Sequence, residues 1–216
     1  EYISELNVIP SKIEKILEFA VLIKDKKSAN PVSLLSVVSN NEEAEINLLK
    51  TRNKLEEFVK QASATETKVN IITTLDHNAA SGITRISREI MADILILGWP
   101  QRTGFLDKLI GEKIDAILNN SNKTIFICQL EKPLVLHKRI IIAAPPLTEH
   151  ENGFSLWLNK FTKLAQELSI PMHIYCNEAT QKVMDKLLKK SKSNASVSFT
   201  HFTDWEDFLV LSRYIN

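Results

Sequence analysis

The sequence predicts an α/β protein made of two consecutive units, each with helices wound around a parallel sheet. Segments with strand-like and helix-like patterns alternate from residue 8 to residue 130, which is typical of a doubly wound fold. The run "DILILG" is apolar throughout, as expected for a strand buried on both faces of a parallel sheet. The alternation then starts again and is shorter, so we expect the second unit to be incomplete.

The first unit opens with a weakly marked strand near "NVIP" and an amphipathic helix, "SKIEKILEFAVLIK". In this helix Ile13, Ile16, Leu17, Ala20 and Ile23 recur at helical spacing. The segments that follow are the strand "PVSLLSVVS", the helix "NEEAEINLLKTRNKLEEFVKQAS", the strand "KVNIITTLD", the helix 78–92, the strand "DILILG", the helix "GEKIDAILNN" and the strand "KTIFICQL".

The second unit repeats the order of the first. Its segments are the strand "KRIIIAAPP", the helix "SLWLNKFTKLAQEL", the strand "IPMHIYCN", the helix "EATQKVMDKLLKK", the strand "ASVSFTHF" and the helix "DWEDFLVLSRYI". Pro31 precedes a strand of the first unit, and Pro171 precedes the corresponding strand of the second. This pattern indicates an internal duplication with domains 1–131 and 132–216.

The second unit lacks a counterpart to "DILILG", to the glycine loop after it and to the closing strand. A sheet that stops at this point leaves an unpaired edge, which natural proteins usually cover or pair. We therefore expect a homodimer, or packing of the second unit against the first.

Composition argues against several classes of function. The 27 basic and 26 acidic residues leave a net charge of +1, so nucleic acid is not an expected partner. We interpret the basic tract "KLLKKSKSN" as the solvated end of a helix, and the acid pair Glu149 and Glu151 as a solvated helix face. Cys128 and Cys176 lie in apolar runs without metal-ligand spacing, so we expect buried, reduced thiols and no metal site. The apolar runs are much shorter than the ~20 residues of a membrane helix.

A glycine-containing loop follows the strand "DILILG" in the stretch "LILGWPQRTGFLDKLIGEKI". The strand ends on Gly98, and Gly104 and Gly111 come before the predicted helix. Glycines between a strand and a helix let the backbone approach an anion, and the first turn of a helix offers free N–H donors. The pattern therefore raises the possibility of a phosphate site.

The longer stretch "ADILILGWPQRTGFLDKLIGEKIDAIL" resembles the universal stress protein family, a group of HUP/Rossmann-like α/β proteins. Many members bind ATP or AMP through a pattern G-x2-G-x9-G-[S/T] placed after the fourth strand. The strand "LLSVV" is also similar to the family's second strand, whose backbone faces an adenine. The resemblance implies a set of nucleotide-binding candidates: Val37, Gly98, Arg102, Gly104, Gly111, Glu112 and Lys113.

This chain departs from the family pattern at the positions that matter for phosphate. Gln101 stands in place of the second glycine, and Glu112 stands in place of the hydroxyl residue. A carboxylate 4 Å from a phosphate oxygen costs about 4 kcal/mol per charge pair at an effective dielectric of 20, unless Arg102, Lys108 or Lys113 offsets it. Neither unit has the family's aspartate after its first strand. We therefore expect no bound cofactor, with ATP or AMP as the alternative ligand.

The tandem arrangement gives a narrower resemblance. With "ILEFAVLIKDKKSANPVSLLSVV" leading the first unit and "IIIAAPP" opening the second, the chain resembles the cytosolic C-terminal region of bacterial CPA2-type monovalent cation:proton antiporters. The resemblance implies a regulatory domain on the cytoplasmic side of an inner-membrane protein, with the transport domain of the same polypeptide as partner. Because the chain begins with Glu1 and not methionine, we expect it to be a piece of a longer protein.

Two other classes of function compete with this interpretation. A stand-alone tandem universal stress protein that binds ATP or AMP is the alternative. An enzyme of the wider nucleotide α-hydrolase group would need a glycine- and serine-rich loop after the first strand, and the sequence has none. Because no nucleophile, base and orienting group can be assembled from the sequence, we expect no catalysis.

Overall fold

The structure, a computed structural model, describes residues 10–26, 28, 30–62, 68–99, 107–191, 193–204, 206 and 210. Contacts divide the chain into two compact units, Glu1–Glu131 and Lys132–Asn216. The weakly marked first strand and most of the last helix predicted from the sequence lie outside the described residues.

The first unit alternates helices and strands in the predicted order. Its elements are α1 (Pro10–Ile23), β1 (Val32–Ser39), α2 (Ala44–Ala62), β2 (Val69–Asp76), α3 (Ala79–Glu89), β3 (Ile94–Gly98), α4 (Asp107–Asn120) and β4 (Thr124–Cys128). The α/β fold with parallel strands that the sequence predicts is confirmed.

The four strands described in this unit form two parallel pairs. In one pair β1 runs beside β2 from Val32↔Val69 to Ser39↔Asp76, and in the other β3 runs beside β4. In a doubly wound sheet the strand before α1 lies between β1 and β3. The sequence places that strand in the segment that the structure does not describe, so a single continuous sheet is not seen among the described residues.

Helix α1 packs against strands of both pairs. It contacts β3 and β1 of the first unit, and its Leu17, Phe19 and Ile23 are buried. The Phe19 ring meets the ring of Phe126 in β4 edge to face, with 5.7 Å between centroids. Helices α2 and α3 both contact β1 and β2, and α3 also packs against α4. The core of the unit therefore lies between the strands and the apolar faces of these helices.

Helix α3 ends earlier than the sequence predicts. It stops at Glu89, where residue 92 was expected, because Met91 adopts a left-handed backbone conformation with φ 51°. The Ala92 N–H then donates to the Ser87 carbonyl at 2.9 Å, a pattern that closes helix carbonyls at a C-terminus. At the other end Asn78 caps the helix, its side chain accepting from the Ser81 N–H.

The second unit contains three parallel strands in the order β5-β6-β7, as predicted. Its elements are a 3₁₀ turn (Leu134–Leu136), β5 (Ile140–Ala143), a second 3₁₀ turn (Thr148–His150), α5 (Phe154–Leu168), β6 (Met172–Cys176), α6 (Glu178–Lys190) and β7 (Val197–His201). Among the helices of both units that the structure describes, none has the length and apolar character needed to cross a bilayer.

One face of the second sheet forms the core with both helices. Met172, Ile174 and Cys176 of β6 are fully buried there against Leu158 of α5 and Met184 of α6. Successive right-handed crossovers in one direction place both helices on the same face of the sheet. This arrangement leaves the opposite face of α6 free of the core.

A glycine in α3 makes close packing on β1 possible. A Cβ at Gly82 would lie 2.6 and 2.8 Å from the two methyls of Val37 and 3.2 Å from Asp76 Cβ. We predict that Gly82→Ala lowers the free energy of unfolding by about 1–3 kcal/mol because of this overpacking. Helix propensity alone would favour alanine by about 1 kcal/mol. Urea denaturation measures the difference.

Val37→Ala provides the control for this prediction, because it removes both methyls. Gly82→Ala should cost clearly less stability in the Val37→Ala background than in the parent chain. An equal cost in both backgrounds, or a stabilised Gly82→Ala protein, would contradict the packing explanation.

Candidate ligand site at the carboxyl edge of the first unit

The candidates from the sequence lie near the carboxyl ends of parallel strands or in the segment after them. Val37 is half-buried in β1, paired in register with Thr74 of β2, and Gly98 is the last residue of β3. Ligands of open α/β sheets bind at this edge. Arg102 and Gly104, like Gln101, lie outside the described residues.

Gly98 is in contact with the protein itself. A Cβ built on it would lie 2.7 Å from Ile16 Cδ1 of α1. The next residue, Trp99, donates its backbone N–H to the Cys128 carbonyl at 2.7 Å, which extends the β3–β4 ladder past the glycine. The absence of a side chain at Gly98 therefore makes room for α1, whatever else approaches this loop.

The helix after the loop begins at Asp107, four residues before the predicted start at Gly111. The prediction was wrong because Gly111 was interpreted as the helix boundary, although a single helical glycine costs only about 1 kcal/mol. The free N–H groups at the start of α4 therefore come before Gly111. Glu112 lies beyond the first turn, whereas a helix that began at Gly111 would have placed it in that turn. Glu112 is exposed, and Lys113 is half-buried.

A charged cluster that the sequence did not reveal lies at the same edge, where β2 ends. The Asp76 carboxylate accepts hydrogen bonds from the Ser81 hydroxyl and from the His77 N–H at 2.8 Å. Arg85 Nη2 lies 3.3 Å from the second oxygen of Asp76, whose side chain is only 13% exposed. The Ser81 hydrogen bond, followed by those from His77 and Arg85, holds the pKa of Asp76 below its usual range.

Arg85 joins this cluster to the rest of β2. Its guanidinium donates to Thr74 Oγ1 at 2.8 Å, to the Leu75 carbonyl at 3.1 Å and to Glu89 Oε1 at 3.1 Å. Its hydrogen bond to Glu89, followed by that to Asp76, raises the pKa of Arg85. Both charges are thus used to fasten α3 to the end of β2. The sequence did not reveal this ion pair, because Arg85 is nine positions from Asp76 and nothing local links them.

In the second unit a carboxylate lies close to the carboxyl end of β6. Glu149 Oε2 accepts from Thr180 Oγ1 at 2.6 Å, and the Glu149 side chain is 7% exposed. The prediction that Glu149 belongs to a solvated face was therefore wrong, whereas Glu151 is exposed. Hydrogen bonding by Thr180, helped by nearby His150, lowers the pKa of Glu149.

Both cysteines are free thiols. Burial raises the pKa of Cys128 to about 11, and burial together with the charges of Asp185 and Glu149 raises the pKa of Cys176 to about 11. Both therefore stay protonated at neutral pH. In the part of the chain that the structure describes, no group of three or more His, Cys, Asp or Glu residues is placed to hold a metal ion.

Comparison with known proteins identifies the family of the first unit. The model of the universal stress protein family matches residues 14–129, which is more than half of the chain. The chain belongs to the universal stress protein family. The matched residues run from within α1 to the residue after β4, and the second unit lies outside them.

A solved structure shows a similar fold, and a second one is similar to a lesser degree. A universal stress protein from Archaeoglobus fulgidus DSM 4304 is similar with a TM-score of 0.60 and 17% identity, covering 95% of this chain and 78% of that one. A protein from Pseudomonas aeruginosa UCBPP-PA14 classed with universal stress proteins has a TM-score of 0.48 and 10% identity, covering 85% and 78% of the two chains. No curated protein matches the sequence.

The lowered pKa of Asp76 predicts a pH-dependent contribution to stability in this universal stress protein. We expect Asp76→Asn to lower the free energy of unfolding by about 1–2 kcal/mol at neutral pH, because it weakens charge-assisted hydrogen bonds. A carboxyl with a depressed folded-state pKa stabilises above its unfolded pKa and loses that effect as the pH falls through its folded pKa. The difference between parent and variant should shrink below about pH 4.

Urea denaturation at a series of pH values checks this expectation. Asp93→Asn, the same chemical change at an exposed aspartate, provides the control and should leave stability within about 0.5 kcal/mol of the parent. A difference for Asp76→Asn that stays constant down to low pH would show that the carboxylate charge is not what stabilises the cluster.

Proposed function

We propose that this universal stress protein chain is a cytosolic regulatory and interaction domain of a monovalent cation:proton antiporter, with weakened or lost nucleotide binding. The observation that carries the weakened binding is the exposed carboxylate of Glu112 in α4, where the family pattern has a hydroxyl. The antiporter assignment rests on the sequence resemblance of the tandem units, which spans almost the whole chain.

The start of α4 and the surroundings of Gly98 support weak phosphate binding. Because α4 starts at Asp107, Gly111 is one turn inside the helix and does not offer a free N–H at its end. Next to Gly98, Ile16 occupies the space beside the glycine.

The carboxylates near the strand ends are also poorly suited to hold a nucleoside. Asp76 is bonded by Ser81, His77 and Arg85. In the second unit Glu149 is buried and bonded to Thr180. A carboxylate that already accepts short hydrogen bonds inside the protein gains little from a ribose hydroxyl, because a ligand must first displace the internal donor.

We expect no enzymatic activity. The two cysteines stay protonated at neutral pH, so neither is a ready thiolate nucleophile. His173, which lies in β6, has its ring nitrogens 2.6 Å from Ser198 Oγ and 3.0 Å from Thr200 Oγ1, and no acidic residue orients it in the contacts described. This arrangement lacks the acid that would orient a catalytic histidine.

The proposed partners are the transport domain of the same polypeptide and a second copy of this chain. Sheet β5-β6-β7 has an unpaired edge on β5 and on β7 within the described residues. Such edges favour pairing with another strand, which supports a homodimer or a contact with a covering segment. The domain would then transmit the state of a ligand or partner to the transporter on the cytoplasmic side of the inner membrane.

The alternative is a stand-alone tandem universal stress protein that binds ATP or AMP. The fold likeness to the Archaeoglobus fulgidus protein covers 95% of this chain and therefore both units, as expected for a tandem protein of this family. The two proposals differ in nucleotide affinity and in what the gene encodes before Glu1.

Two substitutions that restore the family pattern at positions 101 and 112 should strengthen nucleotide binding. We predict that the parent chain binds ATP weakly and that Gln101→Gly with Glu112→Ser raises the affinity at least tenfold, a factor that corresponds to about 1.4 kcal/mol. The glycine lets the backbone N–H groups turn toward the anion, and the serine removes a like charge and supplies a donor. Titration calorimetry measures both proteins.

Glu45→Ser is the matched control for the loop variant, because it removes the first-turn glutamate of a different helix, α2. It should leave ATP affinity unchanged. Tight ATP binding by the parent would contradict the proposal and favour the stand-alone nucleotide-binding protein. If the loop variant fails to bind, Gln101 and Glu112 are not the only cause of weak binding, and the nucleoside side of the site is lost as well.

The antiporter assignment predicts what precedes this chain. The gene should encode a run of about a dozen membrane-spanning segments of ~20 apolar residues each upstream of Glu1. Sequencing of the complementary DNA or genomic locus checks this directly. A start codon directly before Glu1, with no apolar segments, would contradict the antiporter proposal and leave the tandem stress protein.

A further inference from the structure

Helix α6 has two chemically opposite faces. Thr180 and Met184 are fully buried, and Val183, Leu187 and Leu188 are partly buried beside the core of the second unit. The other side of the helix carries exposed lysines that form the lysine face: Lys182, Lys186, Lys189 and Lys190.

The four lysines are close together on the helix surface. At about 100° per residue their positions lie within an arc of about 100°, and at about 1.5 Å per residue they span about 12 Å along the axis. Thr180, Met184 and Leu187 fall on the far side of the same helical wheel. The lysine face is therefore a short, compact strip of ammonium groups turned away from the core.

Few carboxylates neutralise the positive charge of the lysine face. Lys182 Nζ lies 2.8 Å from Glu178 Oε1, one turn earlier in the helix. Asp185 lies beside the strip, is half-buried and accepts from Gln181 Nε2 at 3.4 Å. Within the described residues Lys186, Lys189 and Lys190 form no ion pair. Three of the four charges are thus available to a partner.

We propose that the lysine face of α6 binds the anionic surface of a phospholipid bilayer. Lysine ammonium groups are flexible, strongly hydrated point charges, which suits attraction to a fluid layer of phosphate headgroups better than the fixed, bidentate recognition provided by arginine. The inference goes beyond the proposed function and holds equally for a free-standing protein and for one attached to a transporter.

A lipid surface fits better than a nucleic acid. The whole chain has a net charge of only +1, so charge outside the strip does not add the broad cationic field that a nucleic acid attracts. The strip contains no aromatic side chain on which an unpaired base could stack. Its short length matches a local contact with a few headgroups.

The predicted contact is electrostatic and reversible. Met184 and the leucines of α6 are held in the core of the second unit, so the helix cannot insert an apolar face into the bilayer. Binding should therefore weaken steeply with added salt, since the Debye length falls from about 10 Å at 0.1 M to about 3 Å at 1 M ionic strength.

Co-sedimentation of the full chain with vesicles tests the proposal. The anionic vesicles are an equimolar mixture of phosphatidylcholine and phosphatidylglycerol, and the neutral vesicles are phosphatidylcholine alone. We expect salt-sensitive binding to the anionic vesicles only. Lys186→Gln with Lys189→Gln and Lys190→Gln should lower the partition coefficient on the order of a hundredfold, from about fivefold per lysine near an anionic surface.

Two further variants test whether binding depends on the lysine face itself or on the total positive charge of the chain. Lys50→Gln with Lys54→Gln and Lys60→Gln removes the same charge from exposed positions on α2 and should leave vesicle binding unchanged. Glu178→Gln frees Lys182 from its ion pair and should strengthen binding severalfold. Circular dichroism melting checks that each variant is folded.

Several results would overturn the proposal. These are no binding of the parent to anionic vesicles, an equal loss of binding in the α2 and α6 triple variants, or no gain for Glu178→Gln. A single-stranded RNA that binds the parent more tightly than the vesicles do, and that competes for the same lysines, would assign the strip to nucleic acid instead. Because none of these measurements involves ATP, the outcome is independent of the proposed function.

Discussion

The packing of α1 across two pairs of strands is the contact on which the first unit depends. Within the described residues β1–β2 and β3–β4 share no hydrogen bonds, so side chains connect them. Phe19 reaches Phe126 in β4, and Ile16 lies against Gly98 at the end of β3. Buried apolar contacts of this kind are the main favourable term in folding. The end of β3 is thus packed against a helix that comes much earlier in the chain.

At the carboxyl edge of the first unit, polar side chains bond to other parts of the protein and stabilise its fold. Asp76 and Arg85 fasten α3 to β2, and Gly82 lets the same helix approach Val37 closely. The second unit uses the carboxylate of Glu149 in a similar way, through the hydroxyl of Thr180. A carboxylate bonded inside the protein is ionised and oriented but is not free to bind a ligand.

The two units carry different kinds of surface. In the first, Glu112 of α4 presents an exposed carboxylate. In the second, α6 is amphipathic, with an apolar side in the core and a strip of lysines outside. Met172, Ile174 and Cys176 of β6 are fully buried in that core, and the apolar side of α6 packs against it. The lysine face therefore offers a partner positive charge and no apolar surface.

The sequence by itself determined the succession of elements, because helical spacing, strand runs and caps are local patterns. Helix α6 has the predicted bounds, Glu178–Lys190, since Asn177 caps it and its apolar residues recur every three or four positions. Only the tertiary structure decided which polar side chains are used inside the protein. Glu149 and Thr180 are 31 positions apart in the sequence, and Asp76 and Arg85 are 9 positions apart. No local sequence pattern predicts a contact at either separation. The early start of α4 was missed for the opposite reason: Gly111 is a local signal for a break, and the rest of the helix outweighed it.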